Sequence, residues 1–260
     1  MSKVTDRLDN KQIIELAKQQ YEQNKKTSKF PANIINLPSQ GNVYEKSSPL
    51  RNGQIEMRHM TAYDEDILSN SSYINEGVVF DKLLEALIIT PGIHPNDFVA
   101  GDKEWAIISA RILGYGTEYP VQVTDTKDNT LISAIQDLSK LKSKPFTIID
   151  DGNGLFDYKI TTTGDIIKFK YLSVRDIDTL DNDKLNSSFL KHVIYQVNDI
   201  TSPIEIEEYL QYTLRASESR KLRKYIMDTA PGIDYNTTAV SEDGSTHNAV
   251  FQFDADLFWF

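Results

Sequence analysis

The chain has 260 residues, 40% of them hydrophobic and 25% charged, which suffices for a sizeable core in one large domain or two small ones. Its formal charge of −10 argues against a general nucleic-acid binder and against docking on an anionic membrane, since both need a basic surface. There is no cysteine, which excludes disulfides, thiolate metal sites and thiol nucleophiles.

No apolar run is long enough for a membrane span, and the N-terminus lacks a signal-peptide core. Function in a cytoplasm, or in a particle assembled there, is expected. Residues 1–36 read as a polar, lysine-rich arm. In it Asp9 can cap a helix with Ile13, Leu16, Ala17 and Tyr21 as a narrow stripe, a segment suited to ordering against a partner.

Residues 37–124 read as a turn, strands and helices. Ile34 to Leu37 is an extended entry, Ser39–Asn42 a tight turn, and Val43-Tyr44 a return strand. Ile55, Met57 and His59 alternate with polar residues, as in a half-buried strand. Thr61, with Asp64 and Glu65 in the first turn, starts a short helix, its hydroxyl accepting from free backbone N–H groups. The run Ser69-Asn70-Ser71-Ser72 competes with that helix. A second helix restarts near Gly77 and ends at Thr90-Pro91-Gly92. Its apolar stripe, Val79, Phe80, Leu83, Leu84, Leu87 and Ile88, reads as core packing before groove binding. Asp102 can cap a third helix, with Trp105, Ile108 and Ile112 on one face, that stops at Gly114-Tyr115-Gly116. Tyr119, Val121 and Val123 then alternate as a strand.

Residues 125–185 read as an inserted α/β hairpin region. Leu131, Ile135, Leu138 and Leu141 suggest an amphipathic helix ended by Pro145, followed by strands at 146–149, 156–160 and 166–171 and a helix over 174–180. Residues 186–260 read as a helical region with a C-terminal hairpin. Phe189, Val193 and Val197 share one helix. Pro203 starts another with Ile206, Leu210 and Leu214, and Leu222, Tyr225 and Ile226 extend the pattern to Pro231-Gly232. A strand at 250–253 and an aromatic end follow. The fold class expected is α+β: mixed helices with small antiparallel sheets or hairpins.

Little in the chain points to chemistry. His59, His94, His192 and His247 lack ligand spacing. Asp150, Asp151 and Asn153 fit a hairpin turn better than a cation loop, which would need a bidentate glutamate. Asp176, Asp178, Asp181 and Asp183 fit a solvated helix end. The common nucleophile elbow and phosphate loops are absent. Arg215, Arg220, Lys221, Arg223 and Lys224 form either a solvated face or a surface for an acidic partner. Phe258-Trp259-Phe260 either folds onto its own core or anchors in a neighbour.

Several stretches together resemble the baseplate hub family of T-even-type contractile-tailed phages, which includes hub subunits and assembly factors. They are Leu37-Pro38-Ser39-Gln40-Gly41-Asn42-Val43-Tyr44, Met60-Thr61-Ala62 with 64–68, and Gly77 leading into Asp81-Lys82-Leu83-Leu84. Asp102, then Arg111-Ile112-Leu113-Gly114-Tyr115-Gly116 with Tyr119, come next. Residues 219–226 precede Pro231-Gly232-Ile233-Asp234, and Phe258-Trp259 closes the set. The resemblance also implies cysteine pairs after the strand at 121–124 and before the final strand, two knuckles that would jointly hold a zinc ion. Here those places read Asp125-Thr126-Lys127-Asp128 and Ala239-Val240-Ser241-Glu242, so side-chain packing is expected to hold the two hairpins together. A metal that can be lost in this way would be structural.

The resemblance implies a non-enzymatic structural component of a tail baseplate, located in the virion and assembled in the host cytoplasm. Its partners would be other hub, tail-tube or tape-measure proteins, or further copies of itself. Partner contacts are expected at Leu37, Pro38, Gly41 and Tyr44, at Thr61, Asp64 and Glu65, at Arg220, Arg223 and Lys224, and at Phe258 and Trp259. No catalytic residue, cofactor or metal is expected. A transient assembly chaperone is the alternative. A metal-dependent hydrolase using the aspartates at 150–151 and 176–183 is a remote third.

Overall fold

Strand β1 (Ala32–Asn36) runs antiparallel to β2 (Gln54–Arg58), with Ile35 opposite Ile55. The computed structural model describes residues 31–124, 131–253 and 255–259, so the expected helix after Asp9 lies outside the described residues. The return strand expected at Val43-Tyr44 is β2 instead. Arg51 donates to the carbonyls of Asn42 and Tyr44, which leaves them unavailable to a ladder, and the chain passes through successive turns before a short 3-10 turn at Pro49–Asn52.

Helix α1 (Ala62–Leu68) ends where Ser69 and Asn70 compete for the backbone. Asn70 then caps α2 (Ser71–Asn75) by accepting from Ser72 and Tyr73, a helix that the periodicity does not announce. In α3 (Val79–Leu87) the apolar stripe is core: Leu83, Leu84 and Leu87 are fully buried. Each such side chain contributes roughly 1.5–3 kcal/mol by leaving water. Helix α4 (Ala100–Tyr115) ends at Gly116, whose positive φ of 85° suits glycine.

The chain then forms β3 (Glu118–Thr124) and β4 (Leu131–Asp137). The amphipathic helix expected over 125–145 is therefore wrong in its described part. Leu131, Ile135 and Leu138 have helical spacing, but Ala134 and Gln136 alternate with exposed neighbours, and β4 is paired along both edges. Two strands supplied by distant sequence decide the conformation, as tertiary context commonly does.

Next come β5 (Lys142–Ser143), β6 (Phe156–Lys159), β7 (Ile166–Phe169), α5 (Val174–Asp178), α6 (Leu185–Val193) and β8 (Ile194–Val197). Residues 146–149 make no strand; Phe146 is buried against Phe156 and Tyr171 without pairing its backbone. Val197 lies in β8 rather than in the helix of Phe189 and Val193, because β7 offers a ladder from Ile167. Helices α7 (Pro203–Tyr212) and α8 (Ala216–Thr229) precede β9 (Ile233–Asp234), β10 (Asn236–Ser241) and β11 (Thr246–Val250). The last expected strand, at 250–253, is thus shifted back, and Ala255–Phe258 is a 3-10 turn.

The strands form a four-stranded antiparallel sheet in the order β11-β10-β4-β3, a three-stranded sheet β6-β7-β8, and the pairs β1-β2 and β5-β9. One main core runs from Leu37 to Phe258 and draws on every expected region beyond the arm. The four-stranded sheet extends past it with a small core of its own, Val123, Ala134 and Ala239. This is an α+β fold with helix α4 at its centre.

Candidate protein–protein interface

Several of the residues expected at an interface are instead spent on α4. Asp102, in the first turn of that helix, is fully buried. Its Oδ1 accepts from the backbone N–H of Ser39 at 2.9 Å, and its Oδ2 accepts from the hydroxyls of Ser39 and Tyr44, each at 2.6 Å. The Tyr44 oxygen accepts in turn from Val99 N–H, and Ser39 Oγ from Gly41 N–H. Asp102 is therefore not a helix cap but the anchor of the loop at 37–44. Burial pushes its carboxyl above the usual value, and the bonds from Ser39 and Tyr44 draw it only partly back. Burial, and then the Asp102 carboxylate, raise the Tyr44 phenol well above its ordinary range. Leu37, Pro38, Gly41 and Tyr44 are all buried. They cannot form the docking surface expected of them, because the loop turns them inward onto α4.

The Thr61 cluster divides in the same way. Asp64 is buried, and Arg58 donates to its two carboxylate oxygens at 2.8 and 2.7 Å. Thr61 donates to the same group through both its backbone N–H and its hydroxyl, and its side chain faces the Asp64 N–H in turn, completing a capping box at the start of α1. Burial alone would raise the Asp64 carboxyl; the bonds from Arg58 and Thr61 outweigh it and hold the group below the usual carboxylate range. Thr61 is half-buried and Glu65 exposed, with Glu65 Oε1 accepting from the Tyr115 hydroxyl at 3.0 Å.

Arg111 is only 2% exposed and closes the far end of α4. It donates to the carbonyls of Leu257, Gly116 and Glu118, and its guanidinium lies 5.1 Å from the centre of the Tyr115 ring. Phe258 is buried, with its ring 5.7 Å from Phe80 and 6.2 Å from Tyr115. The aromatic end thus folds onto its own core, and Phe258 is not a free anchor. Trp259, beside Phe80, remains 37% exposed.

Helix α8 presents the most open of the expected residues. Glu218, Leu222 and Ile226 face inward, while Arg220 and Lys224 face solvent beside Met227, which is 72% exposed. Lys221 is paired with Glu218 and Lys224 with Asp228, each at 2.8 Å, and the half-buried Arg223 donates to Ser219 Oγ. Among the described residues no ion pair reaches Arg215 or Arg220. The aspartates weighed for metal chemistry are bound locally. Asp150 pairs with Arg51 at 2.9 Å and accepts from Gly154 N–H; Asp151 accepts from Asn153 and Leu155; Asp176 accepts from Ser173. No group of three or more His, Cys, Asp or Glu side chains among the described residues is placed to hold a metal ion.

A surface that sequence reading missed lies on the four-stranded sheet. Pro120, Ile135 and Val240 stand in one row across β3, β4 and β10, since Pro120 and Val240 both pair with Ile135. They floor an open groove of about 680 Å³, bounded by Glu118, Asp137 and Glu242. Ile135 is 44% and Val240 39% exposed. Residues 239–242, one of the two places where the family resemblance implies cysteines, lie at the end of β10; residues 125–128, the other, lie outside the described residues. The hairpins are held not by side-chain packing alone but also by main-chain pairing of β10 with β4, with Ala239 opposite Gln136.

Ordered by contact, the pieces that carry the resemblance meet one another. Ser39 and Tyr44 bind Asp102, Glu65 binds Tyr115, and Arg111 holds the backbone at Leu257. A Cβ built on Gly101 would lie 2.2 Å from the Pro231 oxygen, so α4 also packs directly on the Pro231-Gly232 corner. Comparison with protein-family models, with curated proteins and with solved structures finds no match.

Proposed function

We propose that this chain is a non-enzymatic structural component of the baseplate hub of a contractile-tailed phage, acting through protein–protein contacts in tail-tip assembly. It would reside in the virion after assembly in the host cytoplasm, against other hub, tail-tube or tape-measure proteins or further copies of itself. The observation that carries the reading is a division of labour. The buried members of the resembling set, Ser39, Tyr44, Asp102 and Arg111, join the fold around α4, whereas Arg220, Lys224 and Trp259 remain open to a partner. An apolar sheet face, and the basic side chains of Arg215 and Arg220, which no ion pair reaches among the described residues, suit protein recognition.

Quantitative mass spectrometry of purified phage particles carrying this chain tests the proposal against a tail protein of known copy number. A fixed small-integer ratio is the expected result. Presence only in assembly intermediates makes the chain a transient assembly chaperone, and absence from both particles and intermediates overturns the phage reading.

A further inference from the structure

Among the described residues, every charged side chain lining the groove on the four-stranded sheet is an acid: Glu118, Asp137 and Glu242. Glu118 stands directly opposite Asp137 across β3 and β4, an arrangement in which like charges repel. Glu118 and Glu242 form no ion pair among the described residues, and Asp137 has only Lys140 at 3.9 Å. Beside Glu118 and Asp137 runs the apolar row of Pro120, Ile135 and Val240. A surface that covers this row while bringing cations to the acids is favoured on both counts.

Helix α8 carries such a surface. Arg220, Lys224 and Met227 recur at i, i+4 and i+7, so they stand on one side of the helix, and all three are exposed. No ion pair reaches Arg220 among the described residues, and Lys224 holds only the exposed Asp228. The spacing also fits. Lys224 and Arg220 lie roughly 4.5 and 10.5 Å from Met227 along the helix axis. Glu118 and Asp137 lie roughly 7 Å from the apolar row along the strands. With Met227 over that row and α8 laid along the strands, the two cations bracket the two carboxylates. Leu222 and Ile226 are buried in the main core and fix α8, so its outward face meets the groove of another copy and not that of its own chain.

We propose that the groove lined by Pro120, Ile135 and Val240 receives helix α8 of a second copy of this chain. Met227 then covers the apolar row, and Arg220 and Lys224 meet Glu118 and Asp137. Helix and groove are different surfaces, so the contact is heterologous and repeats from copy to copy, closing into a ring or extending as a row. It rests on that branch of the proposed function in which further copies of the chain are partners.

Sedimentation velocity of the purified full-length chain at low salt tests this without any phage component. Mass should rise with concentration across roughly the micromolar range, as for a small interface, and the rise should weaken in high salt. Two variants separate the surfaces: Arg220→Glu with Lys224→Glu, and Glu118→Lys with Asp137→Asn. Asparagine at 137 can still accept from Ser139 N–H, as Asp137 does. Each variant alone should associate at least about tenfold more weakly than the parent, with thermal melting showing the fold retained. Mixed together they should associate again, because the intact helix of one meets the intact groove of the other. A parent chain that stays monomeric to roughly 100 µM overturns the proposal. So does a folded variant that associates as tightly as the parent, or a mixture that stays monomeric. A monomeric parent together with a fixed small-integer ratio in particles would sink this contact and leave the proposed function standing.

Discussion

The hydroxyl of Tyr44 donates to Asp102 Oδ2 at 2.6 Å while its oxygen accepts from the backbone of Val99. One side chain thus joins the loop at 37–44 to the entrance of α4. Tyr44→Phe should destabilise the protein by about 1–3 kcal/mol in denaturant unfolding, because buried groups lose partners. The cost should shrink on acidification. The folded carboxyl of Asp102 titrates above 3.8, the value taken for an unfolded one. It binds its proton more tightly in the fold, so its contribution is greatest at low pH and declines as pH rises through the folded pKa. Removing Tyr44 raises that pKa further. Equal costs at pH 3 and pH 7 would contradict this account.

Arg58 and Asp64 are predicted to titrate with the opposite sign. Asp64 is held below 3.8 in the fold, so its stabilisation is present above that pH and is lost as pH falls through the folded value. Arg58→Met leaves the carboxylate buried without its cation and should cost about 3–5 kcal/mol at neutral pH. The difference between the two proteins should narrow as pH falls below 3.8 and the parent's carboxyl also protonates, leaving only the loss of the bonds from Arg58 to the Ala86 and His59 carbonyls. Parallel pH curves would exclude the ion pair as the cause.

Two glycines with positive φ separate backbone strain from crowding. Gly41 has φ 81°, and a Cβ there would lie 2.2 Å from the Arg51 carbonyl oxygen; Gly77 has φ 70° and open space around it. Gly77→Ala should cost about 1–2 kcal/mol from the backbone conformation alone. Gly41→Ala should cost clearly more, or prevent folding, because the atom in the way is backbone. Calorimetric melting of both variants checks the order.

On α8 the prediction is functional loss without instability. Arg220→Glu with Lys224→Glu reverses exposed charges and breaks only the surface pair of Lys224 with Asp228. Stability should stay within about 1 kcal/mol of the parent. Incorporation into particles should fall sharply, with retained incorporation assigning this face to solvent.

Local pattern was legible wherever a residue's neighbours in sequence are also its partners. The stripe from Val79 to Leu87, the helix start at Thr61 and the stops at Gly116 and Pro231 were all readable for that reason. Strand β4 was not, because Leu131, Ile135 and Leu138 imitate a helix and only the pairings of Ile135 with Pro120 and Val240 decide otherwise. The site suffered likewise. Inward-facing Leu222 and Ile226 leave Arg220 and Lys224 outward by helical geometry alone, whereas the burial of Tyr44 depends on Asp102, 58 positions away.

The grip of Arg111 on the Leu257 carbonyl spans 146 positions. During synthesis the cation at the end of α4 must wait for that stretch to leave the ribosome, on the order of ten seconds at bacterial elongation rates. Until then the guanidinium lacks one of its acceptors, and burying it would be costly. Nascent chains stalled before residue 257 should therefore keep α4 open to water and to chaperones, so the final docking of this helix belongs to the interval after translation has passed Leu257.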